Sequence, residues 1–138
     1  METNNTPLVL VLCTGNSCRS HLAEGILRNA SGGAFRVASA GSKPAGYVHP
    51  LAIKAMAEIG IDITAAVPRK LDYELAESSD VVITMGCGDA CPVFPGKRYE
   101  DWKVTDPAGQ PIEVVRQVRD EIREQVRALL ADLVPANG

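Results

Sequence analysis

The chain has 138 residues, 46% of them hydrophobic and 22% charged, with a formal net charge of −3. That balance excludes a disordered charged tail and a low-complexity chain, and the length suits one domain around one core. Aromatic residues at 4%, with no basic stripe, argue against nucleic-acid binding. The longest apolar run, Leu8 to Cys13, is far too short to span a membrane. No signal-peptide pattern surrounds it, so a cytoplasmic protein is expected.

Read in chain order, residues 8–12 (LVLVL) form a short continuous apolar run that predicts a strand buried on both faces. Residues 20–29 predict a helix, with Leu22, Ala23, Ile26 and Leu27 on one face and Ser31-Gly32-Gly33 as its stop. Residues 34–40 read as a second strand. A second helix opens at His49-Pro50 and runs to Ile59, with Gly60 ending it. Residues 71–78 predict a short helix and residues 80–84 (DVVIT) a third buried strand. Residues 85–109 are rich in Gly and Pro, and a loop of that length is usually functional. A short fourth strand is expected within it at residues 102–104. Val115, Val118, Ile122, Val126, Leu129 and Leu133 recur at spacings of three and four behind Pro111, which predicts a long amphipathic helix. Strands alternating with helices give an α/β fold with a mostly parallel sheet, in a single domain over residues 1–138.

Charge is uneven. Residues 1–69 carry six Lys/Arg against four Asp/Glu, whereas residues 70–138 carry eight against thirteen. An anion site therefore belongs in the first half. Its candidate is Cys13-Thr14-Gly15-Asn16-Ser17-Cys18-Arg19-Ser20, a loop between the first strand and the first helix. Open α/β sheets bind ligands at the carboxyl ends of strands, and a loop curling into a helix start aims backbone N–H groups at one point. A tetrahedral oxyanion fits there. The Arg19 fork suits two of its oxygens, and the Cys13 thiol, facing the same amides and guanidinium, should ionise easily. Gly15 permits the turn, and Asn16 and Ser20 are placed to fix the loop and reach the sulfur. The alternative is a buried cysteine capping a tight turn.

Cys87 and Cys91 form a second close pair. With Cys13 and Cys18 they point to redox chemistry or to metal binding. A four-thiolate zinc module is the non-enzymatic reading, disfavoured because the domain has core enough without zinc. His21 is expected at the pocket mouth and His49 as a cap, and no metal site is assigned. Tyr47, Tyr99 and Trp102 read as packing residues. Arg116, Arg119, Arg123 and Arg127 read as a solvated helix face beside Asp120, Glu121 and Glu124.

CTGNSCRS at 13–20, SAG at Ser39–Gly41, the stretch VHPLAIKAMAEIGIDI, DWKVTDPAG at 101–109 and VRDEI at Val118–Ile122 together resemble the low-molecular-weight tyrosine phosphatases and the arsenate reductases that share their fold. The resemblance implies a four-stranded parallel sheet flanked by helices. It implies a thiol–arsenate adduct on Cys13, with Asp106 as general acid and the loop residues Thr14, Gly15, Asn16, Ser17, Cys18, Arg19 and Ser20 as the oxyanion cradle. It also implies a relay in which Cys87 attacks Cys13 and Cys91 attacks Cys87, with residues 85–95 changing shape on oxidation. Cys18 is given a packing role or a protective pairing with Cys13.

Three features favour the reductases: Ala108-Gly109 after Asp106-Pro107 where phosphatases typically place aromatics, the cysteine pair in TMGCGDACP, and the segment 102–109. A tyrosine phosphatase is the alternative. No bound cofactor is expected. Electrons come from an external thiol reductant, thioredoxin, with mycothiol and mycoredoxin as the other source because the short gap between Cys87 and Cys91 resembles actinobacterial members. Some relatives bind potassium near the loop. Residues 64–69 here offer few oxygen ligands, so little potassium dependence is expected. The partners implied are arsenate and the reductant, acting on a monomer, with no nucleic acid and no membrane.

Overall fold

The computed structural model describes residues 7–13, 18–32, 35–44, 46–85, 98–105, 107 and 109–133. Its elements in order are β1 (Leu8–Cys13), α1 (Arg19–Ser31), β2 (Arg36–Gly41), α2 (Pro50–Ala57), α3 (Tyr73–Ser78), β3 (Val81–Met85), β4 (Arg98–Asp101) and α4 (Ile112–Leu133). The strands form one parallel sheet in the order β2-β1-β3-β4.

All six residues of β1 are buried, which explains its unbroken apolar run. Its side chains still alternate. Val9, Val11 and Cys13 join the larger core with Leu22, Leu27, Met56 and the α4 stripe. Leu8, Leu10 and Leu12 join a smaller core with Ala76, Leu75 and Tyr99. Helices α1, α2 and α4 thus cover one face of the sheet and α3 the other, the arrangement a parallel sheet requires. The α4 stripe is as expected: Val115, Val118 and Ile122 are fully buried. Truncating Ile122 to Ala removes packing worth about 2–5 kcal/mol. Helices α1 and α2 meet closely at Gly25, where a Cβ would lie 2.7 Å from Met56 Cε.

Three boundaries differ from expectation for local reasons. The fourth strand is Arg98–Asp101, not residues 102–104. Its charged residues suit an exposed edge. Trp102, 4% exposed, donates its backbone N–H to Thr84 O and then turns its ring into the larger core. Helix α2 stops at Ala57 because Ile59 and Gly60 donate to carbonyls three residues back, and Gly60 takes a φ of +79°. Helix α3 starts at Tyr73 because Asp72 is its N-cap, while Lys70 bridges Gly41 beyond β2.

Arg119 is not on a solvated face. It is 9% exposed and donates to Ala55 O at 2.8 Å and Glu58 Oε1 at 3.0 Å. Arg116 holds the same carboxylate at 2.7 Å. Hydrogen bonding from Arg116, ahead of that from Arg119, outweighs desolvation and brings the Glu58 carboxyl down from 4.5 to about 2. Tyr47, expected to pack, is 69% exposed.

Candidate functional site

Cys13 ends β1 in the middle of the sheet, in register with Gly41 of β2 on one side and Met85 of β3 on the other. The carboxyl ends of three strands therefore converge on it. Its side chain is buried, and its thiol donates to Ser20 Oγ across 3.0 Å. Ser20, itself fully buried, sits in the first turn of α1. The end of β1 and the first turn of α1 thus meet through these two side chains. Arg19 is partly buried beside it.

The start of α1 is unusual in what it omits. Its N-cap is Cys18, whose side chain makes no capping hydrogen bond, and its first turn holds no acidic residue. The positive end of the helix dipole faces the loop without a carboxylate of its own to neutralise it. A buried thiol and a serine hydroxyl thus meet at a helix start whose first turn holds no acidic residue, and a helix N-terminus favours negative charge.

Of the residues expected in the site, Cys13 and Ser20 are in contact, Cys18 shares the buried core with Cys13, and Arg19 adjoins Ser20 in the first turn of α1. Thr14, Gly15, Asn16, Ser17, Cys87, Cys91 and Asp106 lie outside the described residues, as does most of the segment expected to change shape on oxidation. Met85 stands beside Cys13 and precedes Cys87 by two positions in the chain. Among the described residues no group of three His, Cys, Asp or Glu is arranged to hold a metal ion. His49 caps α2 as expected, its Nδ1 accepting from Leu51 N at 3.1 Å.

A group that sequence reasoning passed over lies behind the loop. Glu24 of α1 accepts from Ser39 Oγ of β2 at 2.7 Å and from Arg28 at 2.7 Å, and His21 Nδ1 lies 3.4 Å away. Burial pushes the Glu24 carboxyl up, but hydrogen bonds from His21 and Ser39 and the charges of Arg28 and His21 outweigh it, so the net shift is downward. His21, expected at a pocket mouth, is 4% exposed and lines a cavity of about 730 Å³ together with Glu24, Arg28, Ser39, Asp62 and Arg69. The i, i+3 and i, i+7 spacing of His21, Glu24 and Arg28 on one helix was the available signal.

Residues 8–136 match the low molecular weight phosphotyrosine protein phosphatase family. The chain belongs to that family. Among similar proteins, an arsenate reductase of Staphylococcus epidermidis is 40% identical over 124 residues, 87% of this chain and 93% of that one. The thioredoxin-dependent arsenate reductase of Corynebacterium glutamicum superposes with a TM-score of 0.81 at 38% identity, over 93% of this chain and 61% of that one. A tyrosine phosphatase of Erwinia amylovora shares the fold, with a TM-score of 0.81 at 23% identity. Proteins of this fold thus include ones named as arsenate reductases and one named as a tyrosine phosphatase, so the fold alone does not fix the activity.

Proposed function

We propose that this chain reduces arsenate to arsenite by a cysteine relay. The observation that carries the reading is the buried Cys13 sulfur, held 3.0 Å from Ser20 Oγ at the start of α1, whose first turn holds no acidic residue. Once Cys13 is a thiolate, the Ser20 hydroxyl donates to it, and the helix start favours its charge. Arsenate, isosteric with phosphate, enters beside it, with Arg19 taking its oxygens. The thiolate attacks arsenic, a sulfur–arsenic bond forms, and an oxygen departs as water with a proton from Asp106.

Cys87 thiolate next attacks the Cys13 sulfur. A Cys13–Cys87 disulfide forms, the sulfur–arsenic bond breaks, and its electron pair stays on arsenic, which leaves as arsenite. Cys91 then attacks Cys87, freeing Cys13 as thiolate and leaving a Cys87–Cys91 disulfide. An external thiol reductant restores the pair. The similarity to a thioredoxin-dependent enzyme favours thioredoxin over mycothiol and mycoredoxin. Met85 beside Cys13 supports the relay, because Cys87 follows two positions later. The same reading takes residues 1–138 as one domain, acting as a cytoplasmic monomer without bound cofactor or metal, with little dependence on potassium. Among the described residues no helix is long and apolar enough to cross a membrane.

Arsenite release with thioredoxin, thioredoxin reductase and NADPH tests the proposal, with mycothiol and mycoredoxin run in parallel. Cys13→Ser should abolish arsenite formation. Cys87→Ser should abolish multiple turnovers while keeping p-nitrophenyl phosphate hydrolysis. Arsenite production that survives either change sinks the relay, and rapid phosphate-ester turnover with no arsenite at all makes the chain a phosphatase.

A further inference from the structure

Among the described residues, one buried side-chain polar atom lacks a hydrogen-bond partner: His21 Nε2. Such an atom is costly, and an apolar side chain of similar size would fill the place without that cost. The imidazole is therefore kept for what its other nitrogen does. His21 Nδ1 lies 3.4 Å from Glu24 Oε1, the oxygen that also accepts from Ser39 Oγ at 2.7 Å. Arg28 holds the second oxygen at 2.7 Å and reaches Val37 O at 2.6 Å. Ser39 and Val37 belong to β2, so the carboxylate clasps α1 onto the strand beside β1. Glu24 follows Ser20 by one helical turn, and Ser20 holds the Cys13 sulfur. A slip of α1 along β2 would carry Ser20 away from that sulfur. A carboxylate so near the helix start would also repel an incoming dianion unless its charge were offset.

We propose that His21 is a positioning residue for oxyanion binding. With Ser39 it fixes the Glu24 carboxylate, whose charge Arg28 balances, and so keeps the first turn of α1 where the anion is received. The lowered Glu24 carboxyl agrees with this arrangement, since it keeps the clasp ionised. The other charged groups lining the cavity are Arg28 on α1 and Asp62 and Arg69 between α2 and α3. The inference rests on the proposed role of Cys13, although none of the clasp residues touches the reacting sulfur.

Arsenate kinetics and calorimetric titration with inorganic phosphate test it in His21→Leu, His21→Gln and Ser39→Ala, with His21→Leu repeated in a Glu24→Gln background. His21→Leu should raise the arsenate KM and weaken phosphate binding by about tenfold, with kcat changed less than about twofold. His21→Gln, whose amide can still donate to Glu24, should recover to within about threefold of the natural protein. Ser39→Ala should resemble His21→Leu, and in the Glu24→Gln background His21→Leu should add less than about twofold. Unchanged phosphate affinity in His21→Leu overturns the inference, as does equal impairment in His21→Gln or a full effect without the Glu24 carboxylate. If His21→Leu does not fold, Ser39→Ala against Ser39→Thr reads the same clasp, and equal phosphate affinity in both overturns it. Phosphate binding does not depend on the relay, so a clasp effect on phosphate with no arsenite formed sinks the reductase reading alone.

Discussion

Helices α1 and α3 begin in opposite ways. Helix α3 has six residues, and Asp72 caps it by accepting from Leu75 N at 2.7 Å, with Glu74 in its first turn. Helix α1 is twice as long, yet its N-cap cysteine offers no side-chain cap and its first turn carries no acid. The short helix has little else to hold it, since Ala76 is its one buried residue. The long one is held by Leu22, Ala23, Ile26 and Leu27 and by the Glu24 clasp, so it can do without local stabilisers at the end that faces Cys13. Negative charge is absent from the first turn at the proposed anion site and present in the first turn of α3.

The largest expected effect comes from erasing that difference. Cys18→Asp would give α1 the cap that α3 has, and phosphate affinity measured by calorimetry should fall about a hundredfold, whereas Cys18→Ser should stay within about threefold. Equal affinity in both would mean that the lack of an acidic cap on α1 has no bearing on anions. Ser20→Ala removes the hydroxyl from the Cys13 sulfur and should slow arsenate turnover and iodoacetamide labelling of Cys13 by about tenfold. Unaltered labelling would show that the 3.0 Å contact is incidental to reactivity.

At the other helix, Asp72→Ala should cost about 1 kcal/mol in urea unfolding and leave arsenate turnover unchanged. The smallest effect concerns acid. Glu58 is depressed to about 2 by hydrogen bonding to Arg116 and Arg119, so its contribution to stability is complete above about 4.5 and is lost as pH falls toward 2. The difference in melting temperature between the natural protein and Glu58→Gln should therefore shrink between pH 6 and pH 2.5. A constant difference would show that the pair adds nothing.

Much of the fold was legible because single residues settle it. LVLVLC at β1 is readable as doubly buried since no polar residue interrupts it, and the α4 stripe repeats for five turns. Strand β4 was not legible. Arg98, Glu100 and Asp101 look like loop residues, and only the register against Val81 to Thr84 makes them a strand. Arg119 reads as solvated because a helical period places it among solvated arginines, while the carbonyl of Ala55 that draws it inward lies 64 positions away. In the site, Cys13, Arg19 and Ser20 were visible as one contiguous loop. The Glu24 clasp was not, since Ser39 reaches it from another strand and an isolated helix shows only an ordinary charged pair.

The place of β1 in the sheet also bears on how the molecule is made. Its partner β3 lies about seventy positions further along the chain. At a synthesis rate of about 5–20 residues per second, several seconds separate their emergence from the ribosome. During that interval the most water-averse stretch of the nascent chain can cover only one of its edges, with β2, and the sulfur at its tip stays open to oxidants and to wrong thiol partners. Reducing surroundings and a chaperone's hold matter most to this protein before it is finished.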